Sequence, residues 1–413
     1  MNYFIINAII ILIQLVSIFE TKFIQQNVQK NSSITRYPLL IVPGDGGNQF
    51  FAKLNKSSAP HPFCLKKTND YINIWLNLDD LTPYATDCLI DNLRLLYDPV
   101  THTTRDNDGV DVKVFKFGET ETMEYLDALH LVSDYADMVN AFVRQLNYRR
   151  GIEIRGAPYD WRKAPNELHY FFQNLTSLLI ETYNNNKQTK VILVGHSMGN
   201  NILLYWLNNY LTKAQKDLYI RAYVSLSPPW GGSTKPFRIM ASGDNINVPV
   251  SRPLSIRPYQ RSAMSTAWLM PSDSFWGSDE VIISQPNQNY TVKDYQKFFE
   301  DLNYTIGYQM LLDTQNLTHN LVAPEVEYHA LYGTGLKTAE GYIYTESEWP
   351  DSSPSLVYGD GDGTVNLRSF KGYTRWYGKQ KESIFYKELP GVDHSGILKN
   401  KQTIDYILSL INN

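Results

Sequence analysis

The 413-residue chain has only two cysteines and no basic surplus: 38 lysines and arginines stand against 42 aspartates and glutamates, a formal net charge of -4. That balance provides no concentrated cationic surface for a polyanion, so nucleic acid is not an expected partner. The chain also lacks an apolar run of the ~20 residues that a membrane-spanning helix needs. Its longest N-terminal apolar stretch, Phe4 to Val16, is interrupted only by Asn7 and Gln14. It reads as a signal peptide over residues 1–19, with an uncleaved anchor as the alternative, because no lysine or arginine precedes it. Internal repeats and long charged or low-complexity tracts are absent. Hydrophobic residues at 43% beside charged residues at 19% describe a chain that folds around a core.

Entry into the secretory pathway gives the two cysteines a meaning. In an oxidising compartment Cys64 and Cys88 most simply form one disulfide, and neither has the setting of a nucleophile. Asn-x-Ser/Thr acceptors begin at Asn31, Asn55, Asn174, Asn289, Asn303 and Asn316, each a candidate for glycosylation.

The length suits one catalytic domain with attached subdomains. Tyr37 to Val42 is a short apolar run that opens into Pro43-Gly44-Asp45-Gly46-Gly47, as a buried strand opens into a glycine-rich loop. Helical spacing places Met138, Phe142, Val143 and Leu146 on one face between Asp134 and Tyr148, and Phe171, Leu175, Leu178 and Leu179 on another between Glu167 and Tyr183. Further strands are expected at Lys190–Val194, Arg221–Leu226, Val326–Tyr332 and Ser383–Leu389, with a closing helix near Thr403–Ile411. This alternation predicts an α/β fold with a mainly parallel sheet. Between Ser233 and Pro324 the alternation fades into a Ser-, Asn-, Pro- and aromatic-rich segment, which reads as an inserted cap.

Gly195-His196-Ser197-Met198-Gly199 fits the Gly-x-Ser-x-Gly elbow, in which a strained turn between strand and helix lifts a serine above the sheet. Serine is a weak nucleophile until a base takes its proton, and the base needs an acid to hold its tautomer. In this fold acid and histidine follow the serine in the chain, which leaves His319, His329 and His394 as bases. His394 is the best placed, in a loop between the last expected strand and the closing helix. His329 alternates within a strand pattern as a packed residue, and His319 neighbours a sequon. Gly359-Asp360-Gly361-Asp362-Gly363 offers two carboxylates, and spacing alone does not choose between Asp360 and Asp362. The same alternation suggests a calcium loop, but the remaining ligands and the distal glutamate are missing, so no metal or other cofactor is expected. Backbone N–H groups of Asp45 and Met198 occupy the positions of an oxyanion hole. A carboxylate on Asp45 would repel the developing oxyanion unless protonated, which predicts an acidic optimum.

These strings together resemble the lecithin:cholesterol acyltransferase family, in its lysosomal phospholipase A branch. The likeness runs from about Tyr37 to the C-terminus through Pro43-Gly44-Asp45, Ile74-Trp75-Leu76-Asn77, Arg155-Gly156-Ala157-Pro158-Tyr159-Asp160-Trp161-Arg162, His196–Asn200, Pro229-Trp230-Gly231-Gly232 and Gly359–Asn366. The resemblance implies an α/β-hydrolase fold over residues 34–413, with a membrane-binding subdomain at 55–100 and a cap or lid at 233–325. It selects Asp362 as the acid, so that Ser197, Asp362 and His394 form the triad, and leaves Asp360 to shape the loop. Trp75 and Leu76 would then touch lipid. The segment Ala241–Ser262 matches the family's mobile lid, and one of its arginines, Arg252, Arg257 or Arg261, is a candidate to meet phosphate. The family's second disulfide would join positions near Ala330 and Tyr373, and this chain has no cysteine at either.

The same resemblance implies acyl-ester cleavage of glycerophospholipids at a membrane surface, through an acyl-enzyme that passes its acyl group to water or to a lipid alcohol such as ceramide. It points to the lysosome, with an extracellular acyltransferase as the alternative. A hydrolase of non-lipid esters would keep the triad without the interfacial surface, and a mere lipid carrier would need a damaged site.

Overall fold

The computed structural model describes residues 36–82, 85–246, 252–318 and 320–412. The expected signal peptide, Asn31 and His319 lie outside these residues, as do 247–251 of the expected lid. Six strands form the central sheet: β1 (Leu39–Val42), β2 (Ile154–Gly156), β3 (Val191–His196), β4 (Ile220–Leu226), β5 (Tyr328–Thr334) and β6 (Ile384–Pro390). Their order across the sheet is β6-β5-β4-β3-β1-β2, and every neighbouring pair is parallel. A parallel sheet is covered on both faces, so its strands read as continuous apolar runs, and all residues of β1, β3 and β5 are buried.

Helices α1 (Ala136–Leu146), α2 (His169–Asn185), α3 (Met198–Asn209) and α6 (Lys401–Ile411) supply the cover. One core cluster joins Phe172, Leu175, Ile202 and Trp206 of α2 and α3 to Leu40 and Leu193 of the sheet. The opposite cluster joins Met138, Phe142, Ile407 and Ile411 of α1 and α6 to Ile41 and Val194. Alternate residues of the same strands face the two layers, as the two-residue period of a strand requires.

Two excursions leave this sheet. The first, between β1 and β2, carries an antiparallel sheet in the order Ile72–Trp75, Phe50–Leu54, Val110–Lys113, the pair Leu95–Asp98 and Thr103–Asp106, and the helix Ala85–Leu93. The Cys64–Cys88 disulfide, with Cα atoms 5.5 Å apart, ties its outer loop to that helix. The second excursion, between β4 and β5, is more helical than its composition suggested. It holds Lys235–Ser242, α4 (Pro253–Ser262), Met264–Trp268, Tyr295–Asp301 and α5 (Thr305–Thr314).

The sequence reading also missed a four-stranded sheet. Strands Leu336–Ile343 and Ser355–Gly361 form an antiparallel hairpin directly after β5, and Ile283–Gln285 of the second excursion pairs parallel with its first arm. The Asp362 loop therefore follows the second arm of this hairpin rather than a strand of the central sheet. The chain leaves β5 at Thr334, runs out and back through the hairpin, and returns to the same edge.

Where the family's second disulfide would lie, aromatic packing joins the two segments. Tyr373 sits with ring centroids 6.1 Å from Tyr328 and 6.3 Å from Tyr332 of β5, and Trp376 meets Tyr328 edge-on at 4.9 Å.

The remaining covalent tie has a measurable weight. Closing a loop of 24 residues' separation restricts the unfolded chain by about 3 kcal/mol in the chain-entropy model. The Cys64→Ser/Cys88→Ser variant is expected to lose about that much stability in urea unfolding. A loss under ~1 kcal/mol would mean that the loop is held by packing alone.

Candidate active site

The site begins with two glycines packed closely against their surroundings. A Cβ on Gly199 would fall 2.4 Å from the carbonyl oxygens of both Val42 and Pro43, and one on Gly195 would fall 2.4 Å from Asn200 Oδ1. Backbone carbonyls cannot yield that far, so the turn between β3 and α3 can press against the end of β1 only with glycine at 199, while Gly195 leaves room for the Asn200 side chain. Ser197 between them takes φ 50 and ψ -130, outside the regions that side-chain-bearing residues favour. Its N–H donates to Leu226 O (2.9 Å), and Asn200 Nδ2 donates to Ser197 O (3.0 Å) and Leu226 O (3.0 Å), which holds the strained turn in place.

His394 comes from the loop after β6, and its Nε2 lies 2.9 Å from Ser197 Oγ. Its Nδ1 lies 2.7 Å from Asp362 Oδ2. The other oxygen of Asp362 accepts the N–H groups of Thr364 (3.0 Å) and Val365 (2.9 Å). Asp362 is 1% exposed. Burial raises its pKa, but the charge and hydrogen bond of His394 and these two N–H groups outweigh burial and leave it below the ordinary value. It stays ionised, as an acid that orients an imidazole must.

Asp360 does other work: its Oδ1 accepts from Gly335 N (2.6 Å) and Gly361 N (2.7 Å), which ties the two arms of the hairpin base. His329 is buried against Phe385, with Nδ1 2.8 Å from Tyr406 OH and Nε2 3.0 Å from Glu327.

The glycine-rich loop after β1 lies against the serine: a Cβ on Gly44 would stand 2.8 Å from Ser197 Cβ. Met198 is the first residue of α3, so its N–H belongs to the open donors at a helix N-terminus, where the helix dipole favours negative charge. The Asp45 carboxyl reaches the solvent of the pocket, yet protein surrounds it, and this crowding pushes it up to about 6 against the opposing pull of Lys235.

Trp75 and Leu76 require a correction. Each is only 8% exposed, so neither is a surface contact for lipid. Strand pairing with Phe50–Leu54 turns Trp75 inward, where Nε1 donates to Gly46 O (2.9 Å) and the ring meets Trp161 edge-on at 5.1 Å. Trp75 props the loop that carries Asp45. Exposed apolar side chains of this excursion include Phe63 (61%) and Leu65 (59%), on either side of Cys64, together with Val100 (84%), Leu129 (75%) and Leu131 (69%). Asn55, Asn174, Asn289, Asn303 and Asn316 are all exposed.

Three functional neighbours had no signal in the sequence. His196, 6% exposed, donates from Nε2 to His394 O (2.9 Å) and so steadies the histidine loop. Burial, and secondarily the charge of His394, pushes its pKa down to about 3, so it stays neutral. Asp134, half-buried where the chain enters α1, is pushed up to about 7 by burial although Lys399 and His394 pull it down. Lys235 lies beside Asp45, and burial and Arg238 push it down to about 8. Asp45, Ser197, Lys235 and His394 share a cavity of about 240 Å³ whose apolar wall includes Ile239, Ile246 and Leu269. Arg252, Arg257 and Arg261 do not line it.

A serine at a strained turn, hydrogen-bonded to a histidine and through it to a buried carboxylate at the carboxyl edge of a parallel sheet, defines an enzyme of the α/β-hydrolase kind. Residues 71–405 match the family model described as lecithin:cholesterol acyltransferase, and the chain belongs to that family. It is 45% identical over 372 residues to the "Lysosomal phospholipase A and acyltransferase" of Homo sapiens and to that of Rattus norvegicus, in each case covering 90% of this chain and 89% of the relative. It is 42% identical over 368 residues to the "Phosphatidylcholine-sterol acyltransferase" of Gallus gallus, covering 89% of this chain and 88% of the relative. Among solved structures, the one described as the Tle4-Tli4 complex is similar at a TM-score of 0.51 and 13% identity, covering 91% of this chain and 98% of that one, a likeness of fold alone.

The two raised carboxyls couple the fold to pH. An unfolded aspartate titrates near ~3.9. With folded values of about 6 for Asp45 and about 7 for Asp134, the folded chain holds protons that the unfolded chain releases. The stability these groups contribute is therefore present at acid pH and lost as pH rises through their folded values. The Asp45→Asn/Asp134→Asn variant lacks this dependence. Its melting temperature relative to wild type is expected to climb between about pH 4 and pH 7 and to level off above the higher folded value, and a difference that does not change with pH would refute the raised values.

Proposed function

We propose that Ser197, His394 and Asp362 form the catalytic triad of a phospholipase A and acyltransferase that moves acyl groups from glycerophospholipids through an acyl-enzyme. The hydrogen-bonded chain from Ser197 Oγ through His394 to Asp362 is the single observation that carries this reading. In the proposed mechanism His394 Nε2 takes the proton of Ser197 as its Oγ attacks the ester carbonyl, and Asp362 stabilises the imidazolium that results. The backbone N–H groups of Asp45 and Met198 receive the oxyanion. His394 then gives its proton to the leaving lysophospholipid, and water or a lipid alcohol such as ceramide takes the acyl group in a second cycle.

Family membership and the names of the relatives at 45% identity support the substrate class. The apolar wall at Ile239, Ile246 and Leu269 suits an acyl chain, and Lys235 beside the serine is a cation of the right kind for a lipid phosphate. Residues 233–325 act as a cap over this cavity, and residues 55–100 as a membrane-binding subdomain whose exposed Phe63 and Leu65 enter the lipid surface. The lysosome is the proposed destination, reached through the secretory pathway, a route with which the Cys64–Cys88 disulfide agrees.

Acyl release and transfer should be quantified on phosphatidylcholine liposomes containing ceramide. Wild type should yield both fatty acid and acylceramide, Ser197→Ala neither, and Asp362→Asn about 10⁴-fold less, because the imidazole loses its orienting charge. Failure on every liposome together with brisk hydrolysis of a soluble ester would replace the lipid substrate by a non-lipid one.

The pH profile tests the Asp45 assignment. Its carboxyl, faced by Lys235, Tyr159 and Tyr259, titrates at about 6, and its negative form opposes an oxyanion. Activity is expected to fall as pH rises through 6. Asp45→Asn, which cannot ionise, should extend activity into the neutral range, and an unchanged profile would remove Asp45 from the account.

A further inference from the structure

A second cavity, of about 410 Å³, lies where the two excursions meet, between the strand Leu95–Asp98, α4 and the first turn of α5. Arg94, Arg257 and Arg261 line it, and among the described residues of its lining none carries a carboxylate. Arg257 Nη1 and Arg261 Nη2 both donate to the same carbonyl, Ala241 O (2.7 and 3.1 Å), so two guanidinium groups converge on one atom. Arg261 also donates to Met240 O (2.7 Å) and lies over the Tyr304 ring, 5.2 Å from its centroid. Asp91 meets Arg94 (3.2 Å) and Asp351 meets Arg257 (2.6 Å).

Tyr304 and Ile306 bring the N-terminus of α5 to the same cavity, and no side chain caps that ten-residue helix, so its open N–H groups add to the positive potential. Burial and the charge of Arg257 push Arg261 down to about 10, the mark of a cation whose surroundings undersupply negative charge. The rim is apolar as well as cationic: Leu254 is 40% and Ile306 45% exposed.

We infer that this cavity is a binding site for the phosphate headgroup of an anionic lipid, distinct from the catalytic pocket and serving to seat the protein on an anionic membrane. Arginine suits phosphate because its planar fork of donors matches the oxygens. A lipid fits the site better than free phosphate because Leu254 and Ile306 stand where acyl or glycerol carbons would emerge. At pH 7, where the formal net charge is -4, the chain as a whole is not attracted to an anionic surface, so binding measured there depends on a local cationic site. The inference rests on the proposed lipid-surface function for its choice of ligand.

The test measures binding of the full chain to vesicles of diether phosphatidylcholine with and without diether phosphatidylglycerol. Ether lipids have no ester to cleave, so the readout is independent of the triad, which hydrolysis of a soluble short-chain ester reports separately. A basic residue at an anionic surface changes binding by about 5-fold, and two by about 30-fold. Arg94→Gln and Arg94→Gln/Arg257→Gln should lower partition onto phosphatidylglycerol vesicles by those factors, leaving phosphatidylcholine binding and soluble-ester hydrolysis unchanged. Arg94 is half-exposed and, among the described residues, its side chain holds only Asp91, so its single variant keeps the test decisive if the double variant unfolds. Equal loss in the exposed pair Lys379→Gln/Lys401→Gln, or no loss in Arg94→Gln, would overturn the site. Competition by inorganic phosphate at matched phosphate concentration would overturn the lipid assignment.

Discussion

The approach of Gly199 to the carbonyls of Val42 and Pro43 is the contact on which the rest of the site depends. With 2.4 Å between a hypothetical Cβ and either oxygen, even alanine would push the β3–α3 turn away from β1. The contact fixes where α3 starts, and hence where the donors of its first turn point. It also sets how near the Gly44–Asp45 loop comes to Ser197. The proposed nucleophile and both proposed oxyanion donors are thus positioned by backbone packing, before any side-chain chemistry is considered. The cost is a serine held at positive φ, and Asn200 offsets it. Its Nδ2 holds the Ser197 and Leu226 carbonyls while Tyr223 OH donates to its Oδ1 (2.9 Å), a buried polar group with partners on every side.

Delivery of the imidazole obeys a different logic. β5 and β6 run side by side, but the acid that orients His394 arrives only after the hairpin has left and rejoined the sheet edge. Gly333 permits the return: a Cβ there would lie 1.9 Å from Val392 O and 3.0 Å from Asp362 Cβ. Two backbone bonds then lock the histidine loop, His394 N to Asp362 O (3.1 Å) and His196 Nε2 to His394 O (2.9 Å). The residue that only filled a variable place in the Gly-x-Ser-x-Gly string therefore links the strand before Ser197 to the His394 loop.

What could be read from the sequence follows from this division. β1, β3, β4 and β5 announce themselves as apolar runs, because a parallel sheet buries both faces; β6, an edge strand with a single buried residue, shows only as a short β-prone run, and the elbow is legible because its glycines pack closely. β2 is three residues, Ile154–Gly156, and its central residue is a buried arginine, so no hydrophobic pattern marks it. The hairpin Leu336–Ile343 and Ser355–Gly361 alternates weakly, and its second arm is mostly exposed, which hides it among loops. The resemblance made Trp75 a lipid contact, but a matching string does not say which face it turns to water, and here the ring turns inward. Asp134 and Lys235 acquire meaning only from neighbours distant in the chain, a kind of information that motif and period do not contain.

The first excursion is also anchored more firmly than a surface subdomain needs to be, and the anchor explains why a distant loop can hold catalytic geometry. Arg162, wholly buried, donates to Asp160 (2.7 Å), Asp106 (2.8 Å) and Leu93 O (3.0 Å), and its guanidinium lies 5.0 Å from the Phe50 ring centroid. Trp161 stacks on Phe50 at 4.3 Å and donates to Asn48 O. One short segment after β2 thus grips the excursion at Leu93, Asp106 and Phe50, and through Trp161 it backs Trp75, which in turn holds Gly46 O. A buried cation with two carboxylates and a carbonyl is expensive to break because removal of any partner strands a charge. Placed here, that penalty resists movement of the Asp45 loop relative to Ser197. The proposed contact with a deformable lipid surface at Phe63 and Leu65 would gain from this arrangement, because the outer loop can meet lipid while the root of the excursion keeps its position.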